Sequence, residues 1–400
     1  MSNSTTSRRV ARVLSAMRPF SRFFSDSAWS RRKGEAGSCD FVLGNPHEMP
    51  LEGFVAALRH HLTPRDKDWF AYKGNEPPAR QAVATSLRER LGEPFEEQDI
   101  FLTNGAFAAI ATALCAIVDP GDEVVFISPP WFFYEPIIAA SGAEPVRVRA
   151  DPTTFDLDVD AIERAITDRT RAVIVNSPNN PTGRVYPPAA LRALGELLGR
   201  ASERLPRPIY LLSDEAYSRI VFDGREFPSP TAFHPHSLLL YTYGKVLLTP
   251  GQRLGYIALP PAMPHRPELR EALFAAQLVT GYAFPNALLL HALPDLDELS
   301  LDIDDLERKR DRMVAALRGM GYDLHVPEGT FYLLVRSPLA DDEAFIELLA
   351  EHDVFCLPGS ILELPGTFRI SLTANDAMIA RALPGFEAAM AAVASRPSMR

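Results

Sequence analysis

A chain of 400 residues, 46% hydrophobic and 23% charged, has the composition of a folded globular protein and is long enough for two domains, or for one large α/β unit with a smaller appendage. Its net charge of −10 argues against a dedicated nucleic-acid binder, and no apolar run reaches the length of a membrane span. Cys39, Cys115 and Cys356 lie far apart without metal-ligand spacing, which fits a reducing compartment; the reading is a cytoplasmic protein with no metal and no nucleic-acid or membrane partner.

The first 38 residues differ from the rest. Arg8, Arg9, Arg12, Arg18, Arg22, Arg31, Arg32 and Lys33 stand against only Asp26 and Glu35, among many serines. A mitochondrial-type transit peptide has this composition. The plainer reading is preferred: an N-terminal arm, residues 1–40, helical from about Arg8 to Phe24, that packs on a partner subunit or frays.

From about residue 100 to 260, short apolar strands alternate with helices. "DIFLT" is a strand, "AFAAIATALCAIV" a buried helix and "EVVFIS" a strand. The helix "YEPIIAASGA", the strand "EPVRVRA" and the helix "DVDAIERAIT" follow. "RAVIVNS" and "PIYLLSD" are strands either side of the amphipathic helix "PPAALRALGELLGRASERL", and "SLLLYTY" and "RLGYIALP" complete the series. Such alternation implies a mainly parallel sheet covered by helices on both faces, a three-layer αβα large domain over residues 41–285, whose first residues can pack with the small domain. After about residue 285 the order changes. The helix "DDLERKRDRMVAALRGMG", the strands "FYLLVRS", "VFCLP" and "FRISLT" with the helix "DDEAFIELLAEH" among them, and a last helix that Pro384 kinks or breaks make a smaller α/β domain, residues 286–400.

Ligands of a parallel sheet collect at the carboxyl ends of its strands, and four polar clusters fall there. In "TNGAFAAI" a small-residue turn opens a helix, whose free N–H groups suit a phosphate; a tight packing turn reads equally well from this stretch alone. "NSPNNPTG" fixes a turn that presents Asn179 and Asn180. In "LLSDEAY", Asp214 ends an apolar strand and Tyr217 lies three residues on; Asp214 also suits an N-cap. In "YTYGKVLLTPGQRLGY", Lys245 sits in an otherwise apolar or small run, with Arg253 eight residues later. One ligand accounts for all four: a phosphate for the helix start and Arg253, a basic ring nitrogen for Asp214, a phenolic oxygen for Asn180 and Tyr217, and an aldehyde for Lys245. That ligand is pyridoxal 5′-phosphate.

With these residues the chain resembles the class I/II aminotransferases, the fold-type I pyridoxal-phosphate enzymes related to aspartate aminotransferase, over roughly residues 41 to 395. "NNPTG", "SDEAY" and "GKVLLTPGQRLGY" occur in the family's order and approximate spacing. The resemblance implies that Lys245 is the Schiff-base lysine and general acid/base, and that Asp214 pairs with the ring nitrogen. It implies that Asn180 and Tyr217 bond the ring oxygen, and that Arg253, Thr242 and the turn of Gly105, Ala106 and Phe107 hold the phosphate. Trp131 in "SPPWFFY" would stack on the ring, Arg369 in "FRISLT" would grip the substrate α-carboxylate, and Gly44 would bring its backbone close to that carboxylate. Tyr72 would reach the cofactor phosphate of a neighbouring subunit, which implies a homodimer with shared sites.

Three features depart from the family pattern. Gly244 stands where serine is usual, "NEPPARQAVA" replaces a leucine-arginine pattern, and His47 and Glu48 lie near the expected carboxylate site. Residues 272 to 300 contain no lysine or arginine, and in the family a second arginine near there reads a dicarboxylic side chain. The implied activity is transfer of an amino group from an L-amino acid, apolar, aromatic or unusual rather than aspartate, to a 2-oxo acid. The alternative is a lyase or cyclase on the same fold, acting for example on S-adenosylmethionine; a non-catalytic sensor is a third class.

Overall fold

The structure, a computed structural model, describes residues 5–395. Its centre is a seven-stranded sheet in the order Ile100–Thr103, Gly255–Ala258, Ser237–Thr242, Tyr210–Asp214, Thr170–Asn176, Glu123–Ser128, Glu144–Arg149. Only Gly255–Ala258 runs antiparallel to its neighbours. Both faces are covered, and the strand residues alternate between them as the pleat requires. Val124, Phe126 and Ile174 pack with the helices Ala106–Ile117 and Arg266–Thr280. Val125, Ile127, Val173 and Val175 pack on the other side with Pro188–Arg204. This is the expected three-layer αβα arrangement.

A second, four-stranded antiparallel sheet has the order Leu357–Pro358, Thr367–Ser371, Tyr332–Arg336, Leu324–His325. The expected single strand "VFCLP" is divided at Cys356. Val354–Phe355 pairs in parallel with Cys39–Asp40, and Leu357–Pro358 joins the four-stranded sheet. The last helix, Asp376–Ala394, runs through Pro384 without a break. Its buried Ile379, Ala382, Phe386 and Ala389 hold it in the core, and tertiary packing outweighs one lost backbone bond. By length and hydropathy alone this helix could cross a membrane, but it carries Asp376, Arg381 and Glu387 and buries its apolar face within the fold.

The arm packs on its own chain. It forms the helices Arg8–Ala16, Arg18–Asp26 and Ala28–Arg32. Arg12 makes a two-pronged bond to Glu144 at 2.9 and 2.7 Å, Phe20 stacks on Phe132 at 4.9 Å, and Trp29 Nε1 donates to Asp40 at 2.9 Å. The Ala28 N–H donates to Glu347 at 3.0 Å, and Arg32 pairs with Asp353. The arm therefore touches the seven-stranded sheet at Glu144 and the helix Asp342–Ala350 at Glu347.

Candidate active site

The carboxyl ends of the strands Ile100–Thr103, Thr170–Asn176, Tyr210–Asp214 and Ser237–Thr242 meet at a cavity of about 440 Å³. Of the residues singled out in the sequence, Ala106, Phe107, Trp131, Asn180, Asp214, Tyr217, Thr242, Lys245 and Arg253 line it. Gly105 lies directly behind its wall. Its φ is +82°, and a Cβ there would come within 2.7 Å of Arg253 Nη2 and 3.2 Å of Thr242 Oγ1. Only glycine leaves that cradle open. The helix Ala106–Ile117 starts at the cradle with no side-chain cap, so its first N–H groups have no acceptor of their own. Arg253 pairs with no carboxylate among the described residues; its Nη1 donates to the Pro250 carbonyl at 2.7 Å. An open space ringed by free N–H groups, a hydroxyl and an unpaired guanidinium fits a phosphate.

Asp214 is buried at the end of its strand. Burial pushes its carboxyl up; the Tyr134 hydroxyl, donating to Oδ2 at 2.5 Å, the Ala216 N–H at 3.2 Å and the charge of Lys245 pull it down. Asn176 ties two clusters together, accepting from the Asn180 N–H at 2.8 Å and donating to the Asp214 carbonyl at 2.9 Å. Asn180 Oδ1 accepts from Arg369 Nη1 at 2.9 Å, which leaves its Nδ2 as a donor toward the cavity. An amide donor, a tyrosine and a carboxylate lining one cavity suit a pyridine ring that carries a phenolic oxygen.

Lys245, in its apolar run, is half-buried on the short helix Tyr243–Val246 and opens into the cavity. Its Nζ lies 5.6 Å from the Tyr217 ring and 5.8 Å from the Phe331 ring, and it has no ion pair among the described residues. Gly244, the departure beside it, has a steric reason. A Cβ there would stand 3.0 Å from Pro250 Cα and 3.5 Å from the Thr249 carbonyl, so a serine would fit only if the turn that carries Arg253 toward the cavity gave way by a few tenths of an ångström. Trp131 forms one wall, edge-on to Phe107 at 5.2 Å and to Tyr134 at 5.5 Å.

Arg369 and Gly44 lie behind the Asn180 wall. Arg369 is fully buried, and its Nη2 donates to the Val42 carbonyl at 2.9 Å. It has no carboxylate partner among the described residues, and its Nε has no hydrogen bond. Tyr72 is the exception: 88% exposed, against Phe284 at 5.2 Å, it lies away from its own chain's cavity. His47 and Glu48 are loop residues with structural bonds. The His47 backbone pairs with Thr373, and Glu48 bonds Lys309. Sequence reasoning missed Tyr134, Tyr282 and Tyr332; the position of Tyr134 just after a strand-end turn was the one signal that could have found it.

Glu215, next to Asp214, is buried outside the cavity. Burial pushes its carboxyl from 4.5 up to about 7, against bonds from Ser229 at 2.6 Å and Ser213 at 3.0 Å and the nearby charge of Arg90. A raised folded pKa means that the ionised form destabilises the fold. This contribution to stability is therefore full below about pH 4.5 and is lost as the pH rises through about 7. Glu215→Gln is expected to remove that decline. Denaturant unfolding at pH 5 and pH 8, compared between the two proteins, measures it; equal pH dependence would show that Glu215 contributes nothing.

Comparison with known proteins follows this geometry. A sequence profile of the family described as Aminotransferase class I and II matches residues 45–385. The chain is 30% identical to the aspartate/prephenate aminotransferase of Thermus thermophilus over 389 residues, 95% of this chain and 98% of that one. It is 33% identical to a probable N-succinyldiaminopimelate aminotransferase of Mycobacterium tuberculosis over 67% of each chain. Among solved structures, an amino transferase from Eubacterium rectale superposes with a TM-score of 0.88 at 30% identity, covering 97% of this chain and 98% of that one. The aspartate aminotransferase of Thermotoga maritima gives 0.82 at 27% identity, covering 96% and 99%.

Proposed function

The chain belongs to the class I and II aminotransferases, pyridoxal-phosphate-dependent enzymes that move an amino group from an amino acid to a 2-oxo acid, and we propose that Lys245 is the residue around which this exchange is organised. Elimination or cyclisation, the alternative on the same fold, is not favoured, because the relatives are aminotransferases. The bound cofactor supplies an aldehyde that takes the amino group and a ring that accepts electrons from the substrate α-carbon.

The N–H groups of Ala106 and Phe107, with Gly105, Thr242 and Arg253, hold the phosphate. Asp214 keeps the ring nitrogen protonated, Asn180 Nδ2 and the Tyr217 hydroxyl donate to the phenolic oxygen, and Trp131 offers its π-face. Lys245 Nζ is the amine that would hold the cofactor's aldehyde carbon. As a free amine it would take the α-proton of the substrate and give it back on the amino-group side. Arg369, with the backbone at Gly44, holds the α-carboxylate.

Arg369 is the observation that carries this reading. A buried guanidinium with no carboxylate among the described residues and an unbonded Nε is costly unless an anion arrives. The remaining wall, with Phe107, Trp131 and Tyr282, adds no cation beyond Lys245 and Arg253, which supports an apolar or aromatic amino donor. A homodimer with shared sites, Tyr72 reaching the neighbour's phosphate, is supported by the exposed Phe70, Tyr72, Phe274, Leu278, Val279 and Phe284. Three free cysteines support a cytoplasmic setting, and we keep residues 41–285 and 286–400 as the domain division.

The test is the absorbance of the purified protein while L-phenylalanine, L-leucine and L-aspartate are added singly. Bleaching of the visible cofactor band with release of the matching 2-oxo acid is expected, fastest with an apolar donor. No cofactor band even after pyridoxal phosphate is added would overturn the reading. Tyr134→Phe removes a hydrogen bond to the charged form of Asp214, so the carboxyl should rise and its hold on the ring nitrogen weaken. The dissociation constant for the cofactor, measured on apoprotein by fluorescence quenching, is expected to rise about tenfold or more.

A further inference from the structure

The arm and the wall of the site meet through a run of aromatic rings. In the helix Arg18–Asp26, Phe20 stands three and four positions before Phe23 and Phe24, so the three rings share one side of it. Phe23 is buried and stacks on Trp29 at 5.8 Å, and Phe24 is edge-on to Trp29 at 4.8 Å, which seats the helix. Phe20 is half-buried and reaches the turn at residues 131–134. Its ring centre lies 4.9 Å from that of Phe132 and 5.2 Å from that of Phe133. Phe133 continues the run, 5.3 Å from Trp131 and 5.2 Å from Phe107, and these last two line the active-site cavity. At such spacings, stacked or edge-on, aromatic rings attract beyond what their burial supplies. The arm's first helix, Arg8–Ala16, lies against Tyr134–Ser141, whose first residue bonds Asp214.

Trp131 has reason to need a brace. It also borders a second cavity of about 670 Å³, to which the arm contributes Ala16, Pro19 and Phe20. A ring that borders two open spaces lacks the close packing that fixes a core side chain.

We infer that the N-terminal arm is part of the active-site wall and that Phe20 is its positioning residue: through Phe133 it holds Trp131 where the cofactor ring stacks, with Phe107 beside it. The inference rests on the assignment of Trp131 to the cofactor ring above. Phe20, Phe24 and Phe132 pack against the core of the small sheet, and Trp131 and Phe133 against a core of the large one. The contact of Phe20 with Phe133 therefore joins two cores at the edge of the site. Without the Phe20 ring, Phe132 and Phe133 lose a neighbour on the side of the second cavity, and Trp131 can tilt with them. The far end of the arm is held by other means. Arg32 bonds Glu35 at 2.9 Å, the Ala350 carbonyl at 2.7 Å and Asp353, which separates anchoring of the arm from the ring contacts.

The test compares wild type with Phe20→Ala, Phe20→Tyr, Trp131→Ala and Arg32→Ala. The first readout is the visible circular dichroism of the holoprotein, which reports how the cofactor ring sits against its wall. The second is the dissociation constant for pyridoxal phosphate, measured on apoprotein. Trp131→Ala is expected to weaken the dichroism and raise the constant about tenfold or more. Phe20→Ala is expected to act in the same direction with a rise of about threefold. Phe20→Tyr keeps the ring and has a cavity for its hydroxyl, so it should restore wild-type values. Arg32→Ala should lower the unfolding temperature and leave both readouts at the wild-type level. If Trp131→Ala moves the readouts and Phe20→Ala does not, the arm is a strap only and the inference fails while the Trp131 assignment stands. If Trp131→Ala moves neither, that assignment fails and takes the inference with it. If Arg32→Ala moves them as far as Phe20→Ala, general loosening of the arm is the cause and Phe20 has no positioning role. Should Phe20→Ala not fold, Phe20→Leu, which keeps the apolar bulk without the ring, takes its place.

Discussion

Lys245→Ala is expected to lower kcat by about four orders of magnitude or more, since it removes both the covalent anchor and the proton carrier. No neighbour can substitute. Nζ is flanked by the Tyr217 and Phe331 rings, and Tyr243, Gly244 and Val246 around it on the helix are buried. The variant should still fold, because the side chain has no ion pair among the described residues and opens into a cavity. It should still take up cofactor, because Gly105, Thr242, Arg253 and Asp214 are untouched. Borohydride reduction followed by peptide mass analysis is the direct check. Wild type should carry the cofactor's mass on the peptide containing Lys245, and the variant should carry it nowhere. Substantial turnover by the variant would remove Lys245 from the mechanism.

Arg369→Lys is the second large effect, and it should fall on KM. The guanidinium bonds Asn180 and Val42, stacks on Tyr332 and still has Nε free, which lets it meet a carboxylate with more than one N–H in a fixed plane. An ammonium keeps the charge and loses the fork. Each charge-assisted hydrogen bond lost costs about 1.5–3 kcal/mol, so KM for the amino donor should rise roughly 10- to 100-fold. Steady-state kinetics with separate kcat and KM decide it. A change confined to kcat, with KM at the wild-type value, would place the carboxylate elsewhere.

The strand-end motifs were legible because each packs its chemistry into a few consecutive residues behind an apolar strand. "SDEAY" and "NNPTG" carry Asp214, Tyr217 and Asn180 to one cavity by strand pairing alone. What stayed hidden depends on separation along the chain. Tyr134 reads as one aromatic among several in "WFFYE", and only its bond across 80 positions to Asp214 distinguishes it. Tyr332 reads as a core residue until the register beside Arg369 is known. Glu48 looked like a substrate-site departure, and its partner Lys309 lies 261 positions away. The tight contact at Gly244 comes from the turn at Pro250, which local propensity does not describe.

The unpaired state of Arg369 has a practical side. Among the described residues no carboxylate has to be expelled before an anion binds, so none of them screens out small ions from the medium. Acetate, formate or sulfate in a buffer would compete for the guanidinium, and a Michaelis constant measured in such a buffer would be inflated in proportion to its concentration. Kinetics taken in a zwitterionic buffer at low salt, and repeated with added acetate, would separate the enzyme's own affinity from that of its surroundings.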